Sequence, residues 1–219
     1  MEDYKNKLLR RILRAFKDYT TEKYKLSLEA ESVHVHELVA CKYKSEIVRE
    51  IPELANPLKP PIFIGEAIDN LLKELFLKDG VLRSLTETVE GLYKKELDIG
   101  DKKIILVGKP DIVLKDMIVE VKYTQFDEGL PLDHHVKQVM LYLYLTGKNM
   151  GKLVYVTNRG FKEFEISEKF DDNSLREYIK AWSSPRYEWE CQYCNFKQIC
   201  PYYTKRSENS TEKVSEGNE

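Results

Sequence analysis

Apolar positions near the start of the chain recur every three to four residues. Leu8, Leu9, Ile12, Leu13 and Phe16 form one stripe, with Lys7, Arg10, Arg11, Arg14 and Lys17 elsewhere on the wheel. That period predicts an amphipathic helix over residues 4–19. A shorter helical pattern, HVHELVACKYKSEIV, follows and carries Cys41. The prolines of NPLKPP then break the chain. Beyond them, FIGEAIDNLLKELFLKDG reads as a strong amphipathic helix, with Ile64, Ala67, Ile68, Leu71, Leu72 and Leu75 as its stripe and Gly80 as its stop.

The period then drops to that of a strand. Residues 86–99, 103–114 and 116–123 read as three strands joined through GD and KD turns, an antiparallel meander. Pro131 opens a helix through HHVKQVMLYLYLTGK that ends at Gly147. KLVYVTN and FKEFEIS are two further strands, and NSLREYIKAW is a helix ahead of the cysteine-rich CQYCNFKQICPYY. Helix, three strands, helix and strand in that order predict an α/β (α+β) fold, a mixed sheet flanked by helices.

Composition narrows this little. A chain of 219 residues is one domain, or one with an appendage. No apolar run is long enough to span a membrane, and the charged amino terminus has no secretory pattern. A reducing cytoplasm follows, where clustered cysteines serve as metal ligands or catalytic groups rather than disulfides. The net charge is −2, although residues 1–25 hold eight Lys or Arg against four Asp or Glu. A solvated face on a packing helix explains that excess more simply than a nucleic-acid surface. Residues 205–219 are polar and read as a disordered tail. Four glutamines beside abundant Lys, Glu and Tyr fit a thermophile.

Candidate chemistry lies in GKPDIVLKDMIVEVKY. Asp111 falls near the middle of the second predicted strand, and Glu120 and Lys122, two apart on the third, point to one face. Carboxylates aimed at a covered sheet face are costly unless paired or bound to an ion. A hard divalent cation such as Mg²⁺ or Mn²⁺ would take both carboxylates as oxygen ligands. The plainer alternative is a surface ion pair of little consequence.

GKPD followed by EVK resembles the PD-(D/E)xK nuclease core, in its RecB-like branch. That branch has a glutamine and a tyrosine four apart on the next helix, and Gln138 and Tyr142 match them. Such proteins have a restriction-endonuclease-like core. Some carry one cysteine before the core and three after it, as CxxCxxxxxC followed by proline. Cys41, Cys191, Cys194, Cys200 and Pro201 match that pattern. The resemblance implies a [4Fe–4S] cluster on the four thiolates; the cysteines by themselves suit structural zinc equally.

Size and order resemble most closely the CRISPR-associated protein four family of RecB-like exonucleases, over about residues 33–203. One departure is Asp69, four after Gly65, where the family has a histidine metal ligand. Either Asp69 is an oxygen ligand for Mg²⁺ or Mn²⁺, or it is an ordinary helix residue beside a weaker site. His134 and His135 read as bystanders at the start of their helix. The resemblance implies a division into an N-terminal helical segment (1–60) with Cys41, a nuclease core (61–168), and a helix with the cysteine cluster (169–204). It implies an exonuclease on single-stranded DNA, or on duplexes with single-stranded ends, acting 5′ to 3′ in spacer acquisition beside the CRISPR integrase proteins. Asp111, Glu120 and the Val121 carbonyl would hold the metal, Lys122 would position water, and Gln138 and Tyr142 would orient phosphate or lysine. The rival readings are a nuclease fold with a decayed site that binds DNA or a partner, and a redox-sensing iron–sulfur protein.

Overall fold

The computed structural model describes residues 2–25, 32–54 and 59–203; the tail expected over 205–219 lies outside the described residues. Helix α1 (Glu2–Lys25) meets helix α4 (Pro60–Lys78) through Phe16 and Phe63, whose rings pack edge to face at 4.9 Å. Between them lie strand β1 (Ser32–His34) and helices α2 (Val35–Leu38) and α3 (Lys42–Glu50). The helical pattern around Cys41 is therefore interrupted, and Cys41 is the residue that starts α3. Glu37, almost fully buried, accepts from the His34 N–H at 2.9 Å and from Arg49 Nε at 2.6 Å, which ties β1, α2 and α3 together.

Gly80 does not act as a stop: α4 gives way at Asp79, whose carboxylate caps a short helix α5 (Gly80–Leu85) by accepting from the Val81 and Leu82 N–H groups. The predicted meander then splits. Residues 86–99 form β2 (Thr86–Val89) and β3 (Tyr93–Ile99), and residues 103–114 form β4 (Lys102–Gly108) and β5 (Ile112–Leu114). With β6 (Met117–Tyr123), β7 (Met150–Thr157) and β8 (Gly160–Ile166), they sort into two sheets, β1-β4-β3 and β2-β5-β6-β7-β8. Both breaks have local causes. Pro110 has no N–H for a ladder, and Glu90 takes a left-handed backbone, φ 53°, just before Gly91. The breaks face each other: the Glu90 N–H donates to the Asp111 carbonyl at 2.9 Å.

Helix α6 (Asp133–Thr146) is the crossover between the parallel neighbours β6 and β7. Every side chain from Gln138 to Tyr144 is buried, because α6 lies between the sheets. Its core includes Leu106, Ile118, Leu141, Leu143, Leu153, Tyr155 and, from α7 (Asp172–Lys180), Leu175. Gly108 permits the close approach: a Cβ there would lie 2.4 Å from Leu145 Cδ1 and 3.1 Å from the Tyr142 ring. A second cluster packs Ile68, Leu72 and Phe76 of α4 on Ile112, Leu114, Val119 and Val121. The buried face of α4 is thus rotated from its expected stripe. Ile64, Ala67, Leu71 and Leu75 are exposed, while Lys73 is buried toward the sheet. Among the described residues no helix is long and apolar enough to cross a membrane.

The segment after α7 docks on the start of α3. Lys42 N–H donates to the Ser183 carbonyl at 3.0 Å, Tyr43 N–H to Ser184 Oγ at 2.7 Å, and Trp182 Nε1 to the Ala40 carbonyl at 2.9 Å. The short helix α8 (Glu190–Tyr193) completes this clasp.

Candidate active site

Alternation along β6 sends Val119 and Val121 toward α4 and Ile118 and Glu120 toward α6. Glu120 is 1 % exposed. Its Oε1 accepts from Lys122 Nζ at 2.6 Å and from Gln138 Nε2 at 2.9 Å. Gln138 Nε2 also donates to the Tyr142 hydroxyl at 3.0 Å, so both side chains point from one face of α6 into the same network. Burial, then the charge of Glu120, raises the Tyr142 pKa and keeps its hydroxyl protonated.

Asp111 lies not within a strand but in the gap between β4 and β5, directly after Pro110. This position lets its side chain reach across to β6, where Oδ2 accepts from the Val121 N–H at 2.8 Å. Its own N–H lies 3.5 Å from Glu120 Oε2. Burial and the neighbouring Glu120 charge push the Asp111 pKa up to about 7, against the pull of Lys122 and Lys73. Two crowded carboxylates of this kind favour a shared cation or proton.

Helix α4 closes the other side. Gly65, Asp69 and Lys73 are one turn apart in succession. Lys73 Nζ lies 2.5 Å from Asp69 Oδ2, 2.6 Å from Glu90 Oε1 and 3.7 Å from Asp111 Oδ1. Burial works against this ammonium, but Asp111, Asp69 and Glu90 outweigh it and raise its pKa. Lys109 Nζ holds Glu90 Oε2 at 3.1 Å. The sequence reading missed both Lys73 and Glu90; the spacing of four from Gly65 through Asp69 to Lys73 was the available signal. An open cleft of about 510 Å³, lined by Gly65, Asp69, Asp111, Val121 and Lys122 among others, leads to these groups.

Cys41, Cys191, Cys194 and Cys200 all line one cavity of about 340 Å³, and none forms a disulfide. Cys41 is brought there by its N–H, which donates to Glu190 Oε1 at 2.8 Å. Burial pushes the Cys41 thiol pKa up. Lys122 and Gln138 line the same cavity, so the cysteines and the β6 network border one void. His134 and His135 stand there too. Burial, with help from Lys122, lowers their pKa values to about 4 and about 2. A neutral His135 fits its contact: Tyr155 OH accepts from the Leu132 N–H at 3.1 Å and can donate to His135 Nδ1 at 2.8 Å.

The donor sets differ in kind. The cleft offers hard carboxylate oxygens, suited to Mg²⁺ or Mn²⁺, and the cavity offers four soft sulfurs, suited to iron–sulfur or zinc. Crowded Asp111 and Glu120, already drawing two lysine cations, fit a divalent ion. Four cysteine sulfurs lining one void, with no disulfide among them, fit a shared group. Among the described residues no three His, Cys, Asp or Glu side chains are gathered around a single ion position.

No protein-family model matches the chain. The CRISPR-associated exonuclease Cas4 of Saccharolobus solfataricus is 34% identical over 184 residues, spanning 79% of this chain and 89% of that protein. The crystal structure of SSO0001 superposes with a TM-score of 0.78 at 27% identity, covering 90% of this chain and 97% of that one. An alkaline exonuclease from Laribacter hongkongensis is a looser likeness, with a TM-score of 0.47 and 15% identity over 69% of this chain and 86% of its own.

Proposed function

The chain belongs to the CRISPR-associated exonuclease Cas4 family, and from that premise we propose that it is a divalent-metal-dependent deoxyribonuclease. Its substrate is single-stranded DNA or a single-stranded end, degraded 5′ to 3′ in spacer acquisition beside the CRISPR integrase proteins. The observation that carries this reading is one network, on the central strand β6 of the five-stranded sheet, joining Asp111, Glu120, Lys122, Gln138 and Tyr142.

Asp111, Glu120 and the Val121 carbonyl would hold Mn²⁺ or Mg²⁺, and Asp69, paired to Lys73, lines the same cleft. A bound ion supplies Lewis acidity toward the scissile phosphate and lowers the pKa of water. The chain's own groups do the rest. Lys122 lies in both the cleft and the cavity. From there it orients the attacking water and offsets charge developing on the phosphate oxygens. Gln138 fixes Glu120 Oε1 and donates to the Tyr142 hydroxyl, so the pair holds the carboxylate that in turn orients Lys122. Cys41, Cys191, Cys194 and Cys200 would hold a [4Fe–4S] cluster that joins the 1–60 and 169–204 segments around the 61–168 core.

The reading is tested on an anaerobic preparation assayed for iron content and for Mn²⁺-dependent loss of end-labelled single-stranded DNA. Chelation, Asp111→Asn and Glu120→Gln are each expected to stop degradation. Since Lys73 already pairs with Asp69, the decayed-site alternative has one observation in its favour. DNA binding without degradation in Mn²⁺ would establish it and overturn the nuclease.

A further inference from the structure

Lys73 is 7 % exposed, a depth at which an ammonium is costly unless its hydrogens find acceptors. Asp69 from α4 and Glu90 from the β2–β3 break supply them at 2.5 and 2.6 Å, and Asp111 adds its charge at 3.7 Å. Glu90 reaches this point from a left-handed backbone that L side chains adopt only at a cost, and Lys109 braces it from outside. Carboxylates from three separate elements therefore surround this one ammonium. Here the chain itself supplies the cation.

We propose that Lys73 is a positioning residue of the metal site, a built-in counter-cation that fills the Asp69–Glu90–Asp111 position and limits the cleft to one divalent ion. Asp111 and Glu120 would hold that ion, so the inference rests on the metal reading above. Asp69 then contributes through Lys73, which explains why a carboxylate and a lysine one turn apart stand on this face. In a nuclease with two divalent ions the second would stabilise the leaving oxygen; in this chain a fixed ammonium holds that ground and cannot leave with product.

The test is a titration of anaerobically prepared full-length protein with Mn²⁺, followed by the electron paramagnetic resonance of the free ion. Melting temperature is recorded with and without Mn²⁺ in wild type, Lys73→Met, Lys73→Arg and Asp111→Asn. Wild type and Lys73→Arg are expected to bind one Mn²⁺, and Asp111→Asn none. Lys73→Met is expected to bind two, the first at least tenfold more tightly than wild type, and to regain with Mn²⁺ the melting temperature it loses without it. A Lys73→Met protein that binds one Mn²⁺ with wild-type affinity overturns the proposal and leaves the metal reading intact. So does one whose melting temperature Mn²⁺ fails to restore. A wild type whose Mn²⁺ binding is indifferent to Asp111→Asn overturns both.

Discussion

Glu190→Ala should loosen the clasp more than any other single surface change. The Glu190 carboxylate accepts three backbone N–H bonds: Cys41 at 2.8 Å, Arg186 at 2.9 Å and Tyr187 at 2.8 Å. The first spans 149 positions of sequence and joins the start of α3 to the cysteine-rich end. A hydrogen bond to a charged group contributes roughly 1.5–3 kcal/mol net. Glu190 is half-buried, so water will satisfy part of what alanine abandons. About 3 kcal/mol for the three together is a reasonable total, or about 6–12 °C in melting temperature for a chain of this size. Glu190→Gln keeps an acceptor but loses the charge, and should fall between. The assay is thermal unfolding followed by circular dichroism, with iron content measured before and after anaerobic dialysis. The variant should melt early and lose iron faster than wild type. A melting temperature within about 2 °C of wild type, with iron fully retained, would refute the claim that this carboxylate pins Cys41.

Four further outcomes follow from other contacts. Gly108→Ala puts a methyl 2.4 Å from Leu145 Cδ1 and 3.1 Å from the Tyr142 ring. It should cost about 1–3 kcal/mol by denaturant unfolding and slow DNA degradation by displacing Tyr142. Arg49→Leu strands the buried Glu37 carboxylate without its cation, and should cost about 3–5 kcal/mol by the same measurement. Mn²⁺ affinity should fall as the solution is acidified below pH 7, because the metal-free Asp111 pKa is about 7 and the ion must displace its proton. The sign for metal-free stability is opposite. The unfolded carboxyl releases its proton near its ordinary value and the folded one only near 7, so stability declines between about pH 4 and pH 7. Calorimetry at several pH values reads both effects.

The local geometry of the candidate site was more legible than the framework that holds it. The spacings Glu120–Lys122 and Gln138–Tyr142 are local, each within one strand repeat or one helical turn, so periodicity alone aims those side chains together. Asp111 was expected within a strand and lies between two. A period-two pattern runs on through Lys109 and Pro110, and nothing local shows that the chain changes sheets there. β1 is three residues long and pairs with β4 far along the chain, a non-local choice that no periodicity records. The rotation of α4 was hidden for a related reason. Its apolar residues cover nearly the whole circumference, and the buried face is settled by Lys73 meeting carboxylates from other elements. Cys41 reaches the other cysteines through contacts made by Ser183, Ser184 and Glu190, polar residues with no sequence signature.

The central claim is that Lys122, held by Glu120 beside Asp111, acts on the phosphodiester. Its most direct test is the single-turnover rate of Mn²⁺-dependent degradation of an end-labelled single-stranded oligonucleotide by Lys122→Ala, with Mn²⁺ binding and circular dichroism recorded on the same sample. The account predicts a folded protein that still binds Mn²⁺ and cleaves at least about a hundredfold more slowly, the scale of losing one charge stabiliser at the reacting group. A folded, Mn²⁺-binding Lys122→Ala protein that cleaves at the wild-type rate would contradict it.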